Sequence, residues 1–125
     1  MSLNILHLSD LHIGFNSDAK GLEELATVIS LALEGEKVDE IVVTGDIFDG
    51  GTLAHDDGYK ELINLTIYFF NTLIDKLNEA NNHKISINNT TFIPGNHEVV
   101  RKNYRAGEDI FERYSEFIKT IYKEI

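Results

Sequence analysis

The chain has 125 residues, 42% of them apolar and 26% charged, an ordinary composition for one globular domain and not for a disordered segment. Basic and acidic residues number 11 and 21, and the formal charge of −10 disfavours wholesale electrostatic binding to nucleic acid or an anionic membrane, although bound divalent ions can reverse the field locally. There is no cysteine, which excludes a disulfide framework and any thiolate metal site.

The opening residues "MSLNILHLSD" carry no basic leader and no long apolar core. No stretch approaches the roughly 18 apolar residues of a membrane span. The expectation is a soluble, cytoplasmic protein with no membrane partner.

In chain order, "NILHLS" (4–9) is a short apolar run expected to form a buried strand, closed by Ser9-Asp10. From Lys20 to about Leu33, the residues Leu22, Leu25, Ala26, Ile29 and Leu33 recur at helical spacing, with Gly35 as a stop. "EIVVT" (40–44) is β-branched and apolar at its centre, which predicts a strand buried on both faces and ended by Gly45-Asp46. Leu62, Leu65, Phe69, Leu73, Leu77 and Ala80 predict a longer helix over 59–80. "KISINNTTFIP" (84–94) is β-rich but interrupted at Asn88-Asn89. It predicts a strand at 90–93, with 84–87 either its beginning or one arm of a small hairpin. Ile110, Phe111, Tyr114, Phe117, Ile118 and Ile121 predict a third helix. Its apolar pattern still runs at Ile121 with no stop signal, so the chain is expected to be cut rather than finished.

The order β-α-β-α-β-α requires crossover connections, which make a parallel sheet with helices on its faces. In such sheets ligands collect beyond the carboxyl ends of the strands. Those ends deliver "SDLHIG" (9–14), "GDIFDGG" (45–51) and "GNHEVV" (95–100), so the polar clusters are expected to converge at one edge.

Asp10 and His12 are separated by one residue, and in an extended segment such residues point the same way. Asp46 and Asn96 each follow a glycine that permits a sharp turn. Carboxylate, imidazole and amide oxygen together suit Mn²⁺, Fe²⁺, Zn²⁺ or Mg²⁺. Singly each residue has an ordinary role, an Asp after a strand being most often an Asx-turn or a helix cap. The ordinary readings fail only jointly, since three separate strand ends carry ligand-type residues. Arg101, Lys102 and Arg105 lie close behind the last cluster in an otherwise acidic chain, either to clamp a phosphate or as a solvated helix entry.

"SDLH", "GDIFD" and "GNHE" resemble the first three signature blocks of the calcineurin-like metallophosphoesterase superfamily, in the family's order. Asp-x-His matches Asp10-Leu11-His12, Gly-Asp-x-x-Asp matches residues 45–49, and Gly-Asn-His-(Asp/Glu) matches residues 95–98. The resemblance implies that residues 1–125 are the N-terminal part of a metallophosphoesterase domain, the parallel half of an αββα sandwich. It implies two divalent metal ions, with manganese favoured, Asp10 and His12 binding the first, Asp46 bridging both and Asn96 binding the second. It also implies His97 as general acid or transition-state donor, Asp49 orienting His97, and a metal-bound hydroxide as nucleophile.

Two departures shape the expectation. Many members carry arginine after the second Asp of the middle block, where this chain has Gly50 after Asp49. That tilts the reading towards the branch of double-strand-break-repair exonucleases, and towards a phosphodiester substrate such as nucleic acid or a nucleotide. The family's later Gly-His-x-His-like block has no counterpart, and His7, His55 and His83 are read as a core residue and two loop residues. The second metal site is therefore expected to be incomplete, the isolated chain to risk inactivity, and a C-terminal half or a partner subunit to be needed. The competing readings are a phosphomonoesterase of the protein-phosphatase type and a truncated, inactive binding or assembly module.

Overall fold

The computed structural model describes residues 3–48, 58–81, 84–94 and 104–123. Seven elements follow one another: β1 (Ile5–Ser9), α1 (Ala19–Ala32), β2 (Glu40–Thr44), α2 (Tyr59–Asn81), a 3₁₀ turn (Ile87–Asn89), β3 (Thr90–Ile93) and α3 (Tyr104–Lys123). The strands form one parallel sheet in the order β1-β2-β3. The protein is thus an α/β chain with the expected strand–helix alternation.

Burial of the sheet differs from the expectation. Register aligns Leu6 with Ile41 and Ile41 with Thr90, and likewise Leu8 with Val43 and Val43 with Phe92. Ile41 and Val43 are fully buried on this side, in the same core cluster as residues of all three helices. The other side carries Ile5 and Ile93, which remain 55% and 48% exposed, and Val42 is only half-buried. β2 is therefore fully covered on one face rather than two. Topology supplies the reason. A βαβ crossover is nearly always right-handed, and two successive crossovers stepping in the same direction place both helices on the same side of the sheet.

α1 starts at Asp18, whose carboxylate accepts a hydrogen bond from the Gly21 N–H at 2.7 Å. It buries Leu22, Ala26 and Ser30, one stripe at i, i+4 and i+8. α2 buries nine residues from Leu62 to Leu77, a broader face, because it packs against both α1 and α3. Over β3, the Phe92 ring meets Phe70, Phe117 and Tyr122 edge-on at 5.0, 5.5 and 6.1 Å. Each such pair adds about 0.5–1.5 kcal/mol beyond the area it buries. The Tyr122 hydroxyl donates to the Thr90 carbonyl, and burial pushes its phenol pKa up, so the group stays a donor.

Residues 84–87 form neither the start of β3 nor a hairpin arm. The Asn78 side chain on α2 brackets Ile85, accepting from its N–H and donating to its carbonyl, both at 2.9 Å. A backbone bound in this way to a side chain has nothing left for a neighbouring strand. Ser86 and Asn89 then close a capping box around the 3₁₀ turn. Replacing Asn78 with alanine is expected to cost about 2 kcal/mol, because two part-buried hydrogen bonds go at once. Urea unfolding with an unchanged m-value would check it, and a loss below about 0.5 kcal/mol would refute the bracket's role.

Candidate metal centre

Beyond the last ladder residues, Ser9 and Thr44, the two segments do not part. The Asp10 N–H donates to the Gly45 carbonyl at 3.3 Å, His12 to Asp46 at 3.0 Å and Ile13 to Ile47 at 2.7 Å. An isolated parallel bridge between Ile13 and Phe48 closes the run. Ile13, Ile47 and Phe48 are buried and anchor both loops in the core. The third strand end joins through the Gly45 N–H, which donates to the Ile93 carbonyl at 2.7 Å.

Along this seam the backbone takes an uncommon conformation. Asp10, His12 and Asp46 have φ of 55°, 49° and 51°, and they are the non-glycine residues with positive φ among the described residues. A left-handed conformation costs an ordinary L-residue roughly 1–2 kcal/mol, less for aspartate, whose short polar side chain can bond locally. The side chains of Asp10 and His12 thus approach for a different reason from the extended i, i+2 geometry. Two left-handed residues flank Leu11, which is packed against the core, and the His12 Nε2 comes to 3.8 Å from the Asp10 Oδ1.

One ligand atom each of Asp10, His12 and Asp46 lies within 4.8 Å of the other two. Donors at metal–ligand bonds of about 2.0–2.2 Å lie roughly 3.0–3.5 Å apart, so the three side chains must close in by up to an ångström or more to hold one divalent cation. The donors are two carboxylates and an imidazole, which are hard and borderline ligands. The positions of Asp10 and His12 are exposed and that of Asp46 half-buried, so an ion could enter from solvent. Two carboxylates this close repel by about 1 kcal/mol at the dielectric of water. A cation turns that repulsion into attraction.

Asp49, Asn96, His97 and Arg101 lie outside the described residues, as do His55 and His83. Arg105 sits in the first turn of α3. His7 is not a core residue. It is exposed on the open face of the sheet, where its Nε2 meets the Thr44 Oγ at 2.6 Å. A cleft of about 480 Å³ that the sequence does not announce is lined by Gly14, Phe15 and the first turns of α2. Its only sequence signal is an aromatic residue placed directly after "HIG". No described helix is long and apolar enough to cross a membrane.

A family description, calcineurin-like phosphoesterase, matches residues 3–124 of the chain. No curated protein matches it.

Proposed function

Because the chain belongs to the calcineurin-like phosphoesterase family, whose members hydrolyse phosphoesters with bound metal, we propose that it acts on phosphodiesters, as a phosphodiesterase or nuclease with a dinuclear centre. The observation that carries this reading is the convergence of Asp10, His12 and Asp46 on one point, from two strand ends held together by backbone bonds. In this reading Asp10 and His12 would hold the first ion, Asp46 would serve both, and Asn96 the second. Manganese is the ion we favour. A pair of such ions supplies an activated nucleophile at neutral pH and neutralises charge developing on the phosphoryl oxygens.

The chain's own residues do the rest. Asp46 would need to be anionic in this role, since a neutral amide would do nothing to offset the charge of two cations. His97 would give a proton to the departing ester oxygen, and Asp49 would orient that imidazole. Arg101 and Arg105 draw the phosphate towards a chain whose net charge is otherwise −10. The family's further metal-binding histidines have no counterpart in these 125 residues, so this sequence offers the second ion only Asp46 and Asn96. Residues 1–125 are in this reading the N-terminal part of the metallophosphoesterase domain.

The choice of diester over monoester rests on Gly50, which stands where many relatives place arginine. A monoester carries an extra negative charge that such an arginine would meet. Manganese-dependent hydrolysis of bis(p-nitrophenyl) phosphate is expected to exceed that of p-nitrophenyl phosphate by at least about tenfold in kcat/KM, or about 1.4 kcal/mol in the barrier. Equal or reversed rates would remove the diester assignment. Absence of metal-dependent hydrolysis of either substrate by protein shown to hold two metal ions would remove the enzymatic one.

A further inference from the structure

Gly14, two residues beyond His12, begins the wall of the cleft of about 480 Å³, so the cleft starts within about 7 Å of the His12 Cα by chain length alone. Phe15, Leu62 and Leu65 give it an apolar lining.

Phe15 is the residue that stands out. It is a large aromatic side chain left 50% exposed at the tip of a closed turn. The turn is tied both ways, the Ser17 N–H donating to the Gly14 carbonyl at 2.9 Å and the Gly14 N–H to the Ser17 Oγ at 3.1 Å. The ring rests against Gly58, where a Cβ would come within 3.1 Å of the Phe15 Cε1 and where φ is +89°. Gly58 thus satisfies two demands together, a left-handed backbone and close approach of the ring. A ring positioned in advance stacks on a ligand without first losing its own freedom. Glu61 adds a carboxylate to the wall, in a chain of net charge −10, and opposes a second phosphate or any other anion in the cleft. The group that fits is planar, aromatic and not anionic.

We propose that the Phe15 cleft is a specificity subsite that stacks the nucleobase, or an equivalent aromatic group, of the ester whose phosphate is held at Asp10, His12 and Asp46. This rests on the phosphodiesterase reading and adds Phe15 as the residue that selects nucleotides over simpler esters.

Isothermal titration of the manganese-loaded protein with thymidine 5′-monophosphate and with inorganic phosphate tests it. The nucleotide is expected to bind about tenfold more tightly than phosphate, the size of one base–aromatic stack. Phe15→Ala is expected to erase that preference while leaving phosphate affinity unchanged in a protein that stays folded, and Phe15→Tyr to retain it. Equal affinity for the two ligands in the wild-type protein, or a preference that survives in Phe15→Ala, overturns the subsite and leaves the phosphodiesterase reading standing. Failure of phosphate itself to bind overturns the phosphodiesterase reading, and the subsite with it.

Discussion

Replacing Asp46 with asparagine is expected to lower manganese-dependent diester hydrolysis by roughly a thousandfold, about 4 kcal/mol in the barrier, while the protein stays folded. Asparagine is the informative substitute. Asp46 sits at φ 51°, a conformation that asparagine accepts nearly as well as aspartate, so the backbone that joins His12 to Asp46 is retained. What disappears is the charge. The metal-free variant is expected to melt at the same temperature as the wild type or slightly above it, because carboxylates within 4.8 Å of each other no longer repel. The loaded wild type is expected to gain about 2.7 kcal/mol at a hundredfold excess of manganese over its Kd, and the variant to lose most of that gain. Unchanged turnover of bis(p-nitrophenyl) phosphate by Asp46→Asn would remove Asp46 from the reaction. An equal manganese-induced rise in Tm in both proteins would remove it from the metal site.

Phe117→Ala is expected to cost about 3–5 kcal/mol, against a total of about 5–15 for a domain of this kind. The ring is fully buried, and it touches Phe48 at 5.3 Å, Phe92 at 5.5 Å and Tyr114 at 6.1 Å between centroids. Truncation removes all of these contacts and leaves a cavity between α3 and the sheet. The consequence reaches the metal centre, because Phe48 lies two residues beyond Asp46 and anchors that loop by its bridge to Ile13. Denaturant unfolding measures the stability loss, and manganese affinity measures the transmitted effect. A cost below about 1 kcal/mol would mean that the aromatic cluster is not the keystone of this core. A full stability loss with unchanged manganese affinity would show that the Asp46 loop is held by its backbone bonds alone.

The elements were legible wherever burial follows a period. β2 was read from "EIVVT" at its observed bounds, Glu40–Thr44, because a run of β-branched residues between polar turns satisfies few other structures. α1 and α2 follow the spacing of their leucines to within one residue at each end. The segment 84–87 was not legible, because its conformation depends on Asn78, a residue on another element that could not be known to reach Ile85. His7 was misread for a related reason. An imidazole within an apolar run looks buried until the handedness of the crossovers decides which face of the sheet the helices cover.

The candidate centre divides in the same way. "SDLH", "GDIFD" and "GNHE" are enough to place the chain in its family and to name Asp10, His12 and Asp46, because a hard ligand set needs carboxylates and imidazole at strand ends and few other residues serve. The tertiary structure decided how those side chains meet. Parallel pairing extends past β1 and β2, three left-handed residues re-aim the chain, and buried Ile13 and Phe48 hold the loops in register. It also decided that Phe15 packs beside Gly58 at the start of α2, although 43 positions separate the two residues along the chain (58 − 15). Composition and spacing specify which chemistry a chain can carry, since they act residue by residue. Which groups share one volume of space is specified by packing and crossover handedness, which act between elements distant in sequence.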